Sequence, residues 1–454
     1  MKNKRYTLII ALVVISSLLL ASCAQPTQPP VAPEVPAATE APAATEAPVV
    51  PEAPAVAQQL EVFSWWTGGG EAAGLDAMIA IWNTKYPDIP FINAAVAGGA
   101  GSNAKAVLAT RLAAGDLPDS WQGHAGQELI GAYVSAGQLE PLDDLYEANG
   151  WYEVFPETLI PLLSQDGHPY SVPVNIHRAN VLWFNPKVLE ANGVAQPTDF
   201  ASFIVALDAL KAAGMDAPLA LGETWTQVHM FETILLATVG PEMYSALWNG
   251  EADWADPKVT EALNNTKKLM EYANTDYATL SWQDASKLVA DGDAAFNIMG
   301  DWADGYFYGS VDGGNLGLEP LVDYAWMPVP GTQGVYQFLS DSFVLPVGAK
   351  NRDAAIKWLE LCGSLEGQDA FNPVKGSIAA RKDSDKSLYN VYLQSAMEDW
   401  SRDTVVGSLA HGVVASPPWA TQINTDWGAF VIDFNVEAFQ AALVNSCATF
   451  GTCK

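Results

Sequence analysis

Several tryptophans of this sequence stand next to polar or charged side chains instead of inside apolar runs. They are Trp65 and Trp66 shortly before Glu71, Trp121 before Gln122 and His124, Trp282 before Gln283, and Trp302 after Asp301. Aromatic rings stack on flat C–H faces, while planar polar groups form hydrogen bonds around the edges of those faces. A sugar ring offers a C–H face and a rim of hydroxyls, so these groupings indicate a carbohydrate-binding site.

The tryptophans also admit a structural interpretation, because a tryptophan in a large protein is more often part of the core than a ligand platform. Trp82 and Trp358 lie on apolar faces of predicted helices, and Trp183 lies in an apolar strand-like run. We interpret these three as packing residues. The tryptophans at strand ends keep both interpretations.

The polar candidates are ambiguous in the same way. Glu71 and Asp301 stand near the starts of predicted helices, where a carboxylate can act as a cap. His124 and His411 can be structural histidines, and Lys375 can be a solvated loop lysine. The five histidines are scattered and show no Cys/His ligand spacing, so we predict no metal site and no cofactor.

The segments that position these residues alternate between strand and helix patterns. Residues 60–66 read as a strand, and the helix that follows has Leu75, Met78 and Trp82 on one face. Further predicted elements are a strand at 90–96, a helix at 104–114, a strand at 120–122, a helix starting at Asp256 and Pro257, strands at 294–299 and 342–346, and a helix at 351–362 stopped by Gly363. This order predicts an α/β protein of two doubly wound lobes, with the ligand at the strand ends where the lobes face each other.

The N-terminus predicts export and lipidation. Lys2, Lys4 and Arg5 precede an apolar run over residues 6–20, which is short for a membrane span and typical of a secretory signal. The run ends in Leu-Ala-Ser before Cys23, which resembles the bacterial lipobox and implies cleavage before Cys23 and diacylation of its thiol. An uncleaved anchor helix is the alternative. Residues 24–59 are rich in Pro, Ala, Thr and Glu, which predicts a semi-extended tether.

Charge, length and cysteine content narrow the class of protein further. The chain has 454 residues, with 22 Lys+Arg against 52 Asp+Glu and a net charge of −30. This balance argues against nucleic acid as a partner, since phosphate binding requires a basic face, and the length favours two domains. Cys447 and Cys453 stand close together and predict a disulfide, with free thiols as the alternative, whereas Cys362 lies on an apolar helix face.

Long motifs in one order give the sequence a family resemblance. They are FSWW at 63–66, GGAG at 98–101, HAG at 124–126, VPVNIHR at 172–178, WNG at 248–250, MGDW at 299–302, LSDSF at 339–343 and KGSIAAR at 375–381. Through these motifs residues 60–414 resemble the solute-binding proteins of bacterial ABC sugar importers (extracellular solute-binding protein family 1), and within them the glucose/galactose-binding type. Residues after 414 match poorly.

The resemblance implies a sugar site without catalytic residues. Its implied ligand-binding residues are Trp65, Trp66, Glu71, Gln122, His124, Trp282, Trp302, Asp301, Asp341, Lys375 and His411. In such a site Trp282 stacks against the sugar, while Asp341 and Lys375 form charge-assisted hydrogen bonds with neutral hydroxyls.

The resemblance also implies the type II periplasmic-binding-protein fold, in which a multi-strand hinge joins the lobes, here near residues 174–181, 340 and 375. The predicted segments are a signal peptide at 1–22, the lipidated Cys23 and tether at 23–59, lobe 1 at 60–176 and 340–374, and lobe 2 at 177–339 and 375–454. Sugar binding closes the lobes, and the closed monomer delivers its cargo to ABC permease subunits. The protein is then extracytoplasmic and anchored to the cell membrane by its lipid.

Other functions remain as alternatives. A secreted glycosidase requires two carboxylates flanking the scissile bond, and Glu71, Glu223, Asp301 and Asp341 stand near tryptophans, but no paired-carboxylate or nucleophile-elbow motif is present. A short oligosaccharide suits the same fold with a wider cleft, whereas the cluster of polar candidates favours a monosaccharide such as glucose. An adhesive surface lipoprotein leaves the loop tryptophans unexplained.

Overall fold

The computed structural model describes residues 58–98, 101–451 and 453, all within one compact unit that spans residues 56–454. The predicted signal peptide, Cys23 and nearly all of the tether lie outside the described residues. Within the described part of the chain, no helix combines the length and apolar character needed to cross a membrane.

Strands and helices alternate along this unit, as the sequence predicts. The strands are β1 Leu60–Phe63, β2 Phe91–Asn93, β3 Ser120–His124, β4 Ser164–Gln165, β5 His168–Pro169, β6 Ser171–Pro173, β7 His177–Arg178, β8 Val181–Phe184, β9 Leu219–Ala220, β10 Phe296–Ile298, β11 Ala325–Pro328, β12 Val335–Leu339, β13 Asp341–Val344 and β14 Thr404–Gly407. The α-helices are α1 Gly69–Lys85, α2 Ser102–Ala113, α3 Asp143–Ala148, α4 Trp151–Val154, α5 Pro186–Ala191, α6 Phe200–Ala212, α7 Thr224–Val239, α8 Pro241–Asn249, α9 Pro257–Met270, α10 Trp282–Asp291, α11 Trp302–Tyr308, α12 Arg352–Gly363, α13 Leu365–Lys375, α14 Val391–Trp400, α15 Pro417–Asp433 and α16 Val436–Phe450.

One sheet has five strands in the order β2-β1-β3-β13-β6. β1 pairs in parallel with β2 and β3, as the predicted strand-helix-strand order requires, while β13 runs antiparallel to β3 and β6. Helix α12 contacts β6 and β13, and α1 packs along α13. The apolar residues of this sheet belong to the first of two large hydrophobic cores.

A second group of elements forms around two smaller sheets, a four-stranded sheet in the order β11-β8-β10-β9 and a three-stranded sheet in the order β14-β12-β7. Helix α7 lies deep in this group, with every residue from Trp225 to Leu236 buried. It packs against α8, α9 and α15, and α16 contacts α9 and α15. The second large hydrophobic core is formed here, so the α/β class and the two lobes are both observed.

The chain passes between these two groups at short connections. β6 in the five-stranded sheet is followed by β7 in the three-stranded sheet, and Ser340 alone separates β12 from β13. Ser340 is fully buried, and its Oγ donates to the carbonyl oxygen of Asn175 at 2.7 Å. Beyond α13, Ile378 forms an isolated bridge with Ile176. These positions coincide with the predicted hinge, and the lobe boundaries drawn there stay a prediction.

Local signals explain where several helices begin. Asp256 accepts a hydrogen bond from the backbone N–H of Lys258 at 2.8 Å, and Pro257 occupies the first helical position of α9, as predicted. At α10 the side chains of Ser281 and Asp284 form a reciprocal capping box. This box fixes the start of α10 and thereby the place of Trp282, the first residue of that helix.

Several predicted boundaries are wrong, and two of them have a clear physical reason. β1 ends at Phe63 instead of residue 66, because the backbone N–H of Trp65 turns to the side chain of Gln122 at 3.1 Å. Gly363 does not stop α12 but is its last residue, and Ser364 follows as the cap. Glycine is needed there for a different reason, since a Cβ at Gly363 would lie 2.2 Å from the ring of Trp151.

Other predictions about single residues are confirmed. Cys447 and Cys453 form a disulfide, while Cys362 is a buried free cysteine. The tryptophans interpreted as packing residues are fully buried, namely Trp82, Trp183 and Trp358.

Candidate functional site

A cavity of about 220 Å³ lies where the two groups of sheets meet. The segments that follow β1 and β2, together with His124 at the end of β3, line it from one side, and the first residues of α10 and α11 line it from the other. The predicted site residues that line this cavity are Trp65, Glu71, His124, Trp282, Trp302, Asp341, Lys375 and His411. The fold therefore brings most of the predicted set together around one cavity.

Trp66 is among the predicted site residues that lie outside the cavity lining. Its ring packs against Phe343 and Phe371, at centroid distances of 5.6 and 4.8 Å, and the residue is 1% exposed. Trp65, by contrast, lines the cavity, with its ring 5.0 Å from the imidazole of His124 between centroids. Trp65 therefore faces the cavity while Trp66 faces the core, which corrects the prediction that Trp66 contacts the ligand.

Asp341 begins β13 and has hydrogen-bond donors on both carboxylate oxygens. Gln122 Nε2 donates to Oδ1 at 2.7 Å, and Asn175 Nδ2 donates to Oδ2 at 2.8 Å. His124 Nε2 and His177 Nε2 also face the carboxylate, at 3.6 and 3.4 Å. Burial by itself raises the pKa of Asp341, but the nearby imidazoles of His177 and His124 hold that pKa below its ordinary value. Gln122, predicted as a ligand contact, instead lies behind the cavity and orients Asp341.

Asp301 also lies outside the cavity lining, and it does not cap α11. Its carboxylate bonds to His177 Nδ1 and accepts the backbone N–H of Arg178 at 2.8 Å. Burial lowers the pKa of His177, but the negative charge of Asp301 outweighs it, so the pKa of His177 lies above its ordinary value. His177 thereby links Asp301 to Asp341 and lines the cavity. The sequence analysis did not name it, although it stands in the VPVNIHR motif.

Lys375 is the last residue of α13, and Gly376 ends that helix with a φ of 84°. The lysine side chain is 2% exposed, so the interpretation as a solvated loop lysine is wrong, and its Nζ lies 3.4 Å from Glu71 Oε1. Close approach of α1 to α13 requires glycine at position 70, where a Cβ would lie 2.8 Å from the carbonyl oxygen of Val374. Burial raises the pKa of Glu71 despite the opposing charge of Lys375.

Tryptophan rings form much of the cavity wall. The tryptophans that line it are Trp65, Trp225, Trp282 and Trp302. The ring of Trp302 lies 6.1 Å from that of Trp225 and 4.9 Å from the imidazole of His411, between centroids. Trp225 was not predicted, because it lies on the largely apolar helix α7. Its Nε1 donates to Glu223 Oε1 at 3.0 Å, and Glu223 also lines the cavity.

Glu128 lies behind His124 and is a second partner that the sequence analysis missed. Its Oε2 accepts hydrogen bonds from His124 Nδ1 at 2.9 Å and from Lys105 Nζ at 2.7 Å. Burial raises the pKa of Glu128, but the charges of Lys105 and His124 outweigh it and lower the pKa to about 2. A carboxylate only accepts hydrogen bonds, so His124 Nδ1 carries a hydrogen and donates it to Glu128, while Nε2 faces Asp341.

His411 lies in the segment after β14 and faces other imidazole rings. Its ring centroid is 5.4 Å from that of His229 on α7 and 5.7 Å from that of His124. Donor atoms of His229, Glu232 and His411 lie within 4.8 Å of one another, as in many metal sites. The oxygens of Glu232, however, already accept hydrogen bonds from Tyr244, Ser408, Leu409 and Ala410. Glu232 and His411 are instead joined by hydrogen bonds through Ser408, while His229 Nε2 bonds to the carbonyl oxygen of Ala179.

Comparison with known proteins relates this arrangement to a family. Residues 64–369 match the protein family described as bacterial extracellular solute-binding protein. An uncharacterized ABC transporter extracellular-binding protein of Pyrococcus horikoshii is 37% identical over 375 residues, covering 81% of this chain and 82% of the relative. The xylose/arabinose-binding protein XacG of Haloferax volcanii is 30% identical over 394 residues, covering 85% and 84%.

A solved structure shares the fold. It is a bacterial solute receptor described as having an exclusive preference for β-D-galactopyranose, and it superposes with a TM-score of 0.74 at 20% sequence identity. The match covers 87% of this chain and 98% of that one. This likeness confirms the predicted two-lobed α/β fold.

Proposed function

Because this chain belongs to the bacterial extracellular solute-binding proteins of ABC importers, we propose that it binds a monosaccharide such as glucose and delivers it to a membrane permease. The observation that carries this proposal is the cavity of about 220 Å³, where tryptophan rings and buried charged groups face one small space. Sites for drug-sized ligands begin at about 300 Å³. A smaller cavity favours a single sugar ring over an oligosaccharide.

The chemistry of the lining suits a neutral, hydroxyl-rich ring. Trp282 and Trp302 offer flat faces for the C–H surface of the sugar. Asp341 accepts hydrogen bonds, Lys375 donates them, and both are buried. Hydrogen bonds to charged groups contribute about 1.5–3 kcal/mol each, more than neutral ones. The opposite charges of Asp341 and Lys375 supply such bonds without attracting a charged ligand.

Ligand binding is coupled to lobe closure in this proposal. The cavity is lined from both groups of sheets, so a sugar that contacts His124 and Trp302 together bridges the lobes. The connection at Ser340 and the segments near residues 174–181 and 375 act as the hinge. The sugar then shifts the population towards the closed form that the permease recognises.

The proposal extends to the cell envelope. We infer that the protein acts outside the cytoplasm as a monomer, held to the membrane by a lipid on Cys23, with residues 24–59 as the tether. The relative in Pyrococcus horikoshii, described as extracellular-binding, supports the compartment. The sugar-binding relative in Haloferax volcanii supports the class of cargo.

Isothermal titration of the full chain, in a detergent without a sugar head group, tests the proposal. Glucose, galactose, xylose and maltose are titrated separately, and each mixture is then incubated and checked for reaction products. Binding of one monosaccharide with no product supports the receptor. Binding of maltose alone overturns the monosaccharide assignment, and formation of a product favours the glycosidase. If none of the four sugars binds, the proposal that the ligand is a sugar is overturned.

A further inference from the structure

The buried carboxyl of Glu232 lies outside the cavity lining, yet one hydroxyl group joins it to the cavity. Glu232 lies on α7 and is fully buried. Ser408 Oγ donates to Glu232 Oε1 at 2.6 Å, and this Oγ also lies 2.9 Å from His411 Nδ1. His411 lines the cavity, and its Nε2 has no hydrogen-bond partner within the described residues. Nε2 is therefore the nitrogen of this ring that remains for a ligand.

Several donors hold the carboxyl of Glu232 in place. Tyr244 Oη donates to Oε2 at 3.1 Å, the backbone N–H of Leu409 donates to the same oxygen, and the backbone N–H of Ala410 donates to Oε1 at 3.3 Å. Backbone N–H groups cannot become acceptors, whereas the hydroxyls of Tyr244 and Ser408 can rotate, and Tyr244 Oη also has the carbonyl oxygen of Gly407 within reach at 3.0 Å. On Oε1 the Ser408 hydroxyl is the partner that can exchange its role, so a proton that Glu232 carries on Oε1 is passed on through Ser408.

The ionised form of Glu232 dictates one arrangement of hydrogens. The hydroxyl hydrogen of Ser408 points at Glu232 Oε1, and Ser408 has no second hydrogen to give. His411 Nδ1 must then donate to Ser408 Oγ. Burial and the nearby His229 keep the pKa of His411 well below its ordinary value, so the ring is neutral. A neutral imidazole that donates from Nδ1 offers an acceptor at Nε2.

The protonated form of Glu232 dictates the reverse arrangement. One proton is taken up in total: it enters at His411 Nε2, the Nδ1 proton passes to Ser408, and the Ser408 proton passes to Glu232 Oε1. Glu232 then donates to Ser408, and Ser408 donates to His411 Nδ1. The ring stays neutral but now presents a donor at Nε2.

We propose that Glu232 is a positioning residue that sets, through Ser408, whether His411 presents an acceptor or a donor to the bound sugar. This inference rests on the proposed function and specifies how one hydroxyl of the sugar is recognised. A hydroxyl can take either role, whereas a fluorine at the same carbon cannot donate a hydrogen bond. Fluorinated sugars therefore distinguish the two forms of the ring.

The titration of Glu232 falls in a useful range of pH. Burial raises its pKa to about 7, so the acceptor form of His411 prevails above neutral pH and the donor form below it. Beside Glu232, the pKa of Tyr244 from α8 is well above its ordinary value, and that of His229, one turn earlier on α7, is about 4. Neither group changes charge near pH 7. The titratable groups that act on His411 itself include His229, His124, Lys105 and His177.

The test uses the full chain in the same sugar-free detergent and titrates glucose and its monodeoxyfluoro analogues at pH 5.5 and pH 8.5. If another monosaccharide binds more tightly, its monodeoxyfluoro analogues replace those of glucose. At pH 8.5 we expect one analogue to bind about three- to tenfold more weakly than the parent sugar, because a neutral hydrogen bond is lost. At pH 5.5 this loss of affinity, the fluorine penalty, should be smaller, because His411 then presents a donor and needs no hydrogen from the sugar.

Two variants distinguish the relay formed by Glu232, Ser408 and His411 from other titrating groups. In Glu232→Gln the amide oxygen stays on the Leu409 side and the NH₂ donates to Ser408, which imitates the protonated acid and should give the small penalty at both pH values. Ser408→Ala keeps the carboxyl of Glu232 but removes the hydroxyl that joins it to His411, and should also remove the pH dependence. The matched control is Asp304→Asn, which removes another buried carboxyl with a pKa of about 7, hydrogen-bonded by Tyr324 and Asn390.

The outcomes separate this inference from the proposed function. A fluorine penalty that depends on pH in the unaltered chain and in Asp304→Asn, but in neither relay variant, supports the inference. Sugar binding with the same pH profile in Glu232→Gln and the unaltered chain overturns it and leaves the receptor function standing. Loss of the pH dependence in Asp304→Asn as well also overturns it. No sugar binding by the unaltered chain removes both proposals.

Discussion

Replacing Trp282 by alanine removes one aromatic wall of the cavity while leaving the signals that start its helix. Trp282 lines the cavity, is 7% exposed, and has its ring 5.7 Å from that of Tyr306. The capping box at the start of α10 uses the side chains of Ser281 and Asp284 and the backbone, not the indole. We therefore expect Trp282→Ala to fold and to bind sugar more weakly.

The size of the effect follows from the contact that is lost. An aromatic stacking contact contributes about 0.5–1.5 kcal/mol beyond its area. Apolar area covered by the sugar adds about 25 cal/mol per Å². Together these predict a loss of about 1–3 kcal/mol, which corresponds to an affinity about five- to 150-fold lower.

Titration calorimetry with the preferred monosaccharide measures this loss, and thermal unfolding of the same sample checks the fold. Trp282→Phe is the first control, because it keeps a ring and should recover most of the affinity. Trp326→Ala is the second, because Trp326 is a half-buried tryptophan of β11 outside the cavity lining. Unchanged affinity in Trp282→Ala, or an equal loss in Trp326→Ala, would refute the assignment of Trp282 to the site.

Three further predictions concern stability and anchoring. Gly363→Ala should lower the free energy of unfolding by about 1–3 kcal/mol in a denaturant titration, because the added methyl meets the ring of Trp151 at 2.2 Å. The pKa of Glu128 falls from 4.5 to about 2 on folding, so its stabilisation is present above pH 4.5 and is lost as pH falls towards 2. Thermal unfolding of Glu128→Gln should show lower stability at neutral pH, where Lys105 loses its partner, and a weaker dependence on acid. Cys23→Ala should release the protein from the membrane fraction, and continued membrane association would indicate an uncleaved helix.

Much of the order of elements was predictable because it depends on neighbouring residues. The spacing of Leu75, Met78 and Trp82 predicts a helix, and Asp256 before Pro257 predicts a helix start, since both signals act within a few residues. Gly363 shows where such reasoning fails. Its role is set by the ring of Trp151, which no local pattern reveals.

The candidate site was predictable mainly through the family resemblance, and the structure shows which of the predicted residues line the cavity and which lie behind it. Trp65 and Trp66 are identical in type and adjacent in sequence, so the sequence cannot distinguish the ring that lines the cavity from the ring that packs against Phe343 and Phe371. Gln122 and Asp301 were expected to contact the ligand, whereas both lie behind it and hold Asp341 and His177. The orienting role of these two polar residues depends on partners far along the chain.

The sequence by itself determined the α/β class and the acidic character of the chain and favoured the disulfide of Cys447 and Cys453, because each depends on local pattern, spacing or composition. Only the tertiary structure decided which charged groups share the cavity. The side chains of His177 and Asp301 are bonded although they stand 124 positions apart, and Glu232 and Ser408 although they stand 176 apart. Such pairs form when separate sheets and helices pack together, and the pKa of each buried group then follows from the partner it meets.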